Sequence, residues 1–419
     1  MSRLLYERRI TALILTTGVL ARVLFIFLFP GVGNPEIMDS HAYDEIAMNI
    51  VSGTGFYLYN IPTAFVAPLY PFFLAGIYAV FGHSFIIAKI FNILLAAGTI
   101  FFIYLIACEL FNRSVGKIAA GIVAIHPELV AITAFLYTES LNTFLLVFFL
   151  WALVRAINRA ENTKFYWALS GLLLGLSTLT KGTTLMLPLF LFILFAVDRA
   201  LRSKFIPFMI FISVFFITLI PWTIRNYVQF RIVLPVATGA GESMWTGNYF
   251  PFDGEYRYGQ TQQKIEELSK GRPWIERDSI LMREAKRMIK ENPIRFVKLA
   301  VKKIARLWVK VYENVPQGMQ RQENLMLKFG LMMIHLPLLI MAIAGMARSL
   351  LLNLQVRVTF YLLLYYTLVH AITFAVPRYR LPIMPFLIIF AAAFIYFMLK
   401  AKWNILIKRY VANTNNVIV

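Results

Sequence analysis

The sequence predicts an all-α, polytopic membrane protein, and three observations carry that reading. Of 419 residues, 59% are apolar and only 15% charged, well under the quarter charged that is usual for soluble domains. Long apolar runs recur along the chain, and the short segments between alternate runs are basic, which is the charge asymmetry of cytoplasmic loops. The formal charge of +20 therefore marks those loops and contacts with lipid phosphates. No basic, aromatic-interleaved module is present, so no nucleic-acid partner is expected. The single cysteine, Cys108, lies inside an apolar run, so no intramolecular disulfide forms and the compartment is not readable from it.

The first apolar run, 10–29, follows Arg3, Arg8 and Arg9 and lacks a clear small-residue cleavage site before or after Pro30. It reads as an uncleaved anchor with a cytoplasmic amino terminus. Residues 31–84 contain no Lys or Arg, which makes them an outer loop. Within it Tyr43, Ile46, Ala47 and Ile50 recur at helical spacing before Gly53-Thr54-Gly55, and the apolar piece 67–81 contains Pro68 and Pro71. Both are expected as helices lying at the outer interface. Nine further spans follow, at 85–110, 118–135, 138–156, 165–179, 185–197, 205–220, 325–347, 358–375 and 381–399. That makes about ten, with both ends inside. Arg113 and Lys117, Arg155, Arg159 and Lys164, Arg199, Arg202 and Lys204, Arg348 and Arg357 all fall in turns assigned to the cytoplasm.

The chain thus divides into a membrane module at 1–225, an extracytoplasmic region at 226–324 and carboxy-terminal spans with a basic tail at 325–419. In the middle region Gly239, Gly241, Gly247 and Gly254, interleaved with Trp245, Tyr249 and Phe252, suggest an irregular binding loop. A helical pair broken at Asn292-Pro293 follows. Its second half sets Val297, Val301, Ile304, Trp308 and Val311 beside Arg295, Lys298, Lys302, Arg306 and Lys310, the pattern of an interfacial helix.

With this topology the ionisable residues near outer span ends are Asp39, His41, Asp44, Glu45, Lys89, His126, Glu128, Glu139, Lys181, Arg225, Arg378 and Arg380. Acids and cations at one level suit a lipid-phosphate sugar donor: cations hold the phosphate leaving group and a carboxylate deprotonates the attacking hydroxyl. The stretch from Met38 to Glu45 concentrates three acids just after the first span, where a carboxylate is a functional candidate by default. Each residue also has a structural reading. Asp39 or Ser40 suits a helix cap, Lys89 a snorkelling side chain, and Glu139 a helix start favoured by the dipole. Arg378 and Arg380 flank Tyr379 outside, where the charge rule gives cations no reason to be, so they are candidates for phosphate. His126, Glu128 and His41 are residue types that bind a divalent metal. No ligand spacing of known type connects them, so no cofactor is assigned.

These residues fall into seven short motifs: Asp39 with Tyr43; Ala67-Pro68-Leu69-Tyr70-Pro71; Tyr137-Thr138-Glu139; Lys181-Gly182-Thr183; Pro221 to Asn226; Gly247-Asn248; and Arg378-Tyr379-Arg380-Leu381-Pro382. In this order, over nearly the whole chain, they resemble the polyprenyl-phosphate-sugar-dependent glycosyltransferases of the GT-C class. The nearest groups are the protein O-mannosyltransferases and the aminoarabinose transferases of lipid A. The resemblance implies a GT-C-type fold and an inverting transfer in an outward-facing cavity of a bacterial or archaeal membrane. It implies Asp39 as base and basic residues matching Lys89 and Arg378 near the donor phosphate. Asp44 and Glu139 are the candidates for a second acid, Lys181, Arg225 and Arg380 further candidates for the phosphate, and Tyr43, His41, Trp245, Asn248 and Tyr379 candidates for the substrate loops. Two departures bear on it. The family's paired Asp-Glu is Asp39-Ser40 here, and Val66-Ala67 replace the acid and lysine of the aminoarabinose transferases, which argues against that substrate. The chain is also shorter than those relatives and without their large carboxy-terminal domain. The partners implied are a lipid-linked sugar donor, membrane lipids, and a glycan, lipid or protein acceptor. A lipid-linked-oligosaccharide flippase, or a polymerase or ligase acting on diphosphate-linked glycans, remains the alternative.

Overall fold

A computed structural model of the chain describes residues 2–29, 32, 38–158, 163–198, 202, 204–257, 259–311, 321–350, 352 and 354–415. Arg159 and Arg199 of the expected cytoplasmic turns, with residues 33–37 of the first loop, lie outside them. The described chain is helical almost throughout. Each of the ten predicted spans coincides with a helix or a bent helical pair. By length and apolarity six are able to cross a bilayer, namely Glu7–Leu28, Phe85–Leu110, Thr138–Asn158, Phe205–Phe230, Met326–Ser349 and Pro377–Ala401. This is an integral membrane protein. The helices at Thr163–Thr180, Leu187–Val197 and Leu354–Ile372 are shorter or less apolar.

Helix α1 (Ser2–Leu28) leads to α2 (Met38–Val51), a two-residue hairpin (β1 Tyr57–Leu58, β2 Ile61–Pro62) and α3 (Leu69–Phe81). The hairpin turns on Tyr59 and Asn60, both at positive φ, as a twist-matched tight turn demands. As the spacing predicted, α2 buries Ile46 and Ala47, and α3 has 13 residues, too few to span. Next come α4 (Phe85–Leu110), capped by the Ser84 hydroxyl, and α5 (Arg113–Ile125), capped by Asn112, whose side chain accepts from the amides of Ser114 and Val115.

The span expected at 118–135 is bent: α5 meets α6 (Pro127–Ala131) and a short 3-10 turn at 58°. Pro127 has no amide proton for the Val123 carbonyl. Arg22 of α1 supplies donors instead, reaching the carbonyls of Ala124 at 2.8 Å, Leu129 at 3.2 Å and Val123 at 3.4 Å. Helix α7 (Thr138–Asn158) is buried over most of its length and packs on α4 and on α8 (Thr163–Thr180). A 3-10 turn at Gly182–Thr184 and α9 (Leu187–Val197) lead to α10 (Phe205–Phe230). At Gly171 a Cβ would lie 2.4 Å from the Phe211 carbonyl oxygen, and at Gly175 one would lie 2.6 Å from the Thr218 Cβ. Small residues four apart are what bring α8 and α10 together.

Helix α10 runs ten residues beyond the predicted end of its span, through Pro221. Trp222 and Asn226 hold the extension by donating to the carbonyls of Val236 and Leu234. The middle region is four helices: α11 (Ala240–Thr246), α12 (Gln260–Leu268), α13 (Trp274–Glu291) and α14 (Pro293–Trp308). Its glycine-rich part is packed rather than irregular. Trp245, Ile265, Leu281 and Ala285 form a small core, and Asp278 Oδ1 accepts from the amides of Gly239, Gly241 and Glu242. In α14 and just after it the predicted stripes do not hold: Val297 and Val301 are exposed, whereas Arg306 and, beyond the helix end, Val311 are buried. Helices α15 (Arg321–Ser349), α16 (Leu354–Ile372) and α17 (Met384–Asn415) complete the chain, with a 3-10 segment, Pro377–Ile383, between the last two.

Candidate active site

Four elements distant in sequence place their ends together. Asp39 occupies the first turn of α2 and Glu139 the first turn of α7, where an acid is favoured by the helix dipole. Lys181 sits in the break after α8, and Arg378 and Tyr379 in the 3-10 segment before α17. Glu139 Oε1 meets Lys181 Nζ at 3.0 Å and Arg378 Nε at 3.1 Å, while the same guanidinium binds Asp39 Oδ2 at 2.5 Å. One arginine thus bridges two acids. Their exposure differs: the Glu139 side chain is 2% exposed and that of Asp39 is 44% exposed. Asp39 is the more accessible of the two carboxylates.

Aromatic rings wall the cluster. Lys181 Nζ stands 4.2 Å from the centre of the Tyr379 ring, and the Arg378 guanidinium 4.5 Å from that of Tyr137, both within range for cation–π attraction. Burial pushes the Lys181 ammonium below the usual lysine range, and Glu139 pulls it back. Tyr43 packs edge-on against Tyr70 at 5.2 Å. Burial, with the nearby charges of Asp39 and Glu139, holds its phenol well above the usual range. The result is a cluster of two acids and two cations with Asp39 at its exposed side.

The other sequence-predicted residues have different surroundings. Asp44 accepts from the Tyr78 hydroxyl at 2.7 Å and pairs with His83 Nε2 at 3.0 Å, on the side of α2 away from Arg378. His41 is exposed and lies 3.6 Å from Glu45. Buried Lys89 donates to the Val32 carbonyl at 2.9 Å. Arg225 donates to the carbonyls of Thr63 and Phe56 and to Asn226 Oδ1, and stacks over Trp222 at 4.7 Å, so it ties the backbone of the first loop to α10. Arg380 is fully buried and grips Glu128 with two hydrogen bonds of 2.7 and 2.9 Å. Trp245 and Asn248 are packed inside, not presented to a substrate. Asn248 donates to the carbonyls of Met244 and Ile372 and accepts from Lys303 at 3.0 Å. At Gly247 a Cβ would lie 1.9 Å from the Thr373 carbonyl oxygen, so only glycine admits that approach. Sequence reasoning missed His83 and Tyr78. The available signal was a histidine and a tyrosine at the end of a helix in an outer loop otherwise without cations.

Residues 65–224 match the family of dolichyl-phosphate-mannose-protein mannosyltransferases. This segment contains Glu139, Lys181 and α3, which packs on Asp39's helix, but neither Asp39 nor Arg378. The whole chain superposes on the oligosaccharyltransferase of Archaeoglobus fulgidus with an acceptor peptide tethered, with a TM-score of 0.57 at 15% identity over 93% of this chain. Against the same enzyme in complex with an inhibitory peptide and a dolichol-phosphate the TM-score is 0.56 at 14% identity over 96% of this chain. The chain has the GT-C fold. It spans about half the length of those oligosaccharyltransferase chains, 50% and 52%. ArnT from Cupriavidus metallidurans bound to undecaprenyl phosphate aligns with a TM-score of 0.48 at 11% identity, covering 91% of this chain and 76% of that one. Among curated proteins, none is significantly similar in sequence. Within the GT-C fold seen here, the four-residue cluster lies where α2, α7, α8 and the segment before α17 converge.

Proposed function

We propose that the chain is a glycosyltransferase that moves a sugar from a polyprenyl-phosphate donor to a hydroxyl acceptor on a glycan, lipid or protein, with inversion. The observation that carries this reading is the bridging of half-exposed Asp39 and buried Glu139 by Arg378, with Lys181 beside them. The donor phosphate is held by Lys181 and Arg378. Asp39 stands on the opposite face of the sugar, takes the acceptor's hydroxyl proton as the new glycosidic bond forms, and the sugar–phosphate bond breaks to release polyprenyl phosphate. Glu139 acts through the two cations, fixing them in place. An apolar cleft of about 300 Å³, lined by Leu185, Phe216, Leu219 and Ile220 among others, begins four residues after Lys181, and accommodates part of the isoprenoid tail. In this reading the site faces outside, the module 1–225 with the carboxy-terminal spans builds it, and 226–324 covers it.

Asp39→Asn tests the proposal. The amide keeps size and hydrogen bonding but accepts no proton, so turnover in purified protein with a polyprenyl-phosphate sugar should fall about a hundredfold or more while donor binding persists. Near-normal turnover in Asp39→Asn, with loss in Glu139→Gln, would move the base to Glu139. No effect of either would remove the enzyme reading altogether.

A further inference from the structure

Behind the candidate active site lies a second buried cluster with different chemistry. His126 sits at the break between α5 and α6, Glu128 in the first turn of α6, and His335 midway along α15. All three are at most 5% exposed. One ligand-type atom from each lies within 4.8 Å of the other two.

The hydrogen-bond pattern around these side chains is unusual for a core. Neither ring nitrogen of His126 has a partner among the described residues, although the residue is only 3% exposed. Leaving buried polar atoms unsatisfied costs about 1 to 3 kcal/mol each. His335 is half satisfied: its Nε2 lies 2.6 Å from the Trp308 carbonyl oxygen, and its Nδ1 has no partner. A carbonyl accepts only, so Nε2 carries the proton and Nδ1 keeps a lone pair that no described residue uses. An imidazole whose far nitrogen donates to a backbone carbonyl is oriented as metal-bound histidines are.

Glu128 supplies the third ligand. Arg380 donates to both carboxylate oxygens, at 2.7 and 2.9 Å, and a carboxylate oxygen accepts from more than one partner. Arg380 opposes a cation electrostatically, but it is anchored elsewhere, donating also to the carbonyls of Leu307 and Lys310. Glu128 is therefore held in one orientation. We infer that His126, Glu128 and His335 form a binding site for a divalent transition-metal ion of the zinc class. Two imidazoles and one carboxylate suit zinc and leave a fourth position open.

The site would join α6, the end of α14, α15 and the 3-10 segment that carries both arginines. Arg380 faces this cluster and Arg378 faces Asp39 and Glu139. A bound ion would thus fix the backbone two residues from Arg378. Its role is structural positioning, and the inference is independent of the glycosyltransferase reading.

The test uses the purified full chain in detergent, stripped with chelator, dialysed against micromolar zinc chloride and analysed for zinc per chain. One zinc per chain is expected, with a raised thermal midpoint on loading. His126→Ala and His335→Ala should each weaken zinc binding roughly tenfold or more and abolish the thermal shift. His335→Gln, which keeps volume and a donor, guards against a folding artefact and should also lose zinc. Asp39→Asn should keep it. Absence of zinc from the wild-type chain would overturn the inference, as would zinc retained at full occupancy by both alanine variants, which would place the ion elsewhere.

Discussion

Arg378 and Arg380 are separated by one tyrosine, yet their surroundings make opposite demands on them. In a 3-10 segment residues two apart point to different sides, so Arg378 reaches Asp39 and Glu139 while Arg380 is buried against Glu128. Arg378→Ala should weaken use of the donor by about 1.5 to 3 kcal/mol, the scale of a charge-assisted hydrogen bond, and Lys should restore only part because it lacks the guanidinium fork. Steady-state kinetics in purified protein measure this, and an unchanged kcat/KM would reduce Arg378 to a partner of the two acids. Arg380→Ala should act on folding instead. It breaks the buried Arg380–Glu128 ion pair, a loss of about 3 to 5 kcal/mol, read as a lower thermal midpoint and poor recovery of folded protein. Indistinguishable thermal midpoints for the two variants would contradict this division of labour.

At the scale of elements, α14 is fastened to the end of α16 by one lysine. Lys303 Nζ donates to Asn248 Oδ1 at 3.0 Å and to the carbonyls of Ile372 and Thr373 at 3.1 and 2.8 Å. Burial pushes its ammonium down from 10.5 to about 7, with Arg306 adding to the effect. Because the folded value is lowered, below pH 7 both states carry the proton and the cost of burying the charge is present in full. Between about 7 and 10.5 the unfolded chain holds a proton that the folded chain has shed, so stability rises with pH across that window. The thermal midpoint of the wild-type chain should therefore climb between pH 7 and pH 9 relative to Lys303→Gln, which has no such titration. Parallel pH profiles for the two proteins would show that the ammonium stays charged throughout. The same lysine explains why Asn248, which the motif suggested for substrate, is engaged in the scaffold: it is part of the joint between two helices.

For the whole molecule, the open question is sidedness. From the charge asymmetry 31–84 and 226–324 are expected outside and both ends inside, and the candidate cluster joins the first loop to the 3-10 segment. Single-cysteine variants at Ser52 and Gly254, in a background with Cys108 replaced, should react with an impermeant thiol reagent in intact cells. Labelling only after permeabilisation would reverse the topology and turn the proposed active site to the cytoplasm. The likeness to the Archaeoglobus oligosaccharyltransferase covers 93% of this chain but 50% of that one, so the shared part is the membrane fold rather than the whole of that enzyme.

Much of this was legible in the sequence, because much of it is local. Apolar runs of bilayer length, cations in alternate short loops, and the helical spacing of Tyr43, Ile46, Ala47 and Ile50 depend on neighbours a few residues away, and the helices stand where those signals placed them. Asp39 and Glu139 were legible as acids at helix starts. Which acid meets which cation was not, since the Arg378–Asp39 contact closes 339 residues of chain and the Arg380–Glu128 contact 252. Nor did the motif order separate Arg225, which holds the first loop by its backbone, from Lys181, which stands beside Glu139. The bend at Pro127 was written in the sequence as a proline, but its rescue by Arg22 depends on α1 packing against α5. Local pattern determines where helices form. Only packing decides which of their polar residues end up sharing a cavity, because the low dielectric there makes each buried charge depend on a partner from another helix.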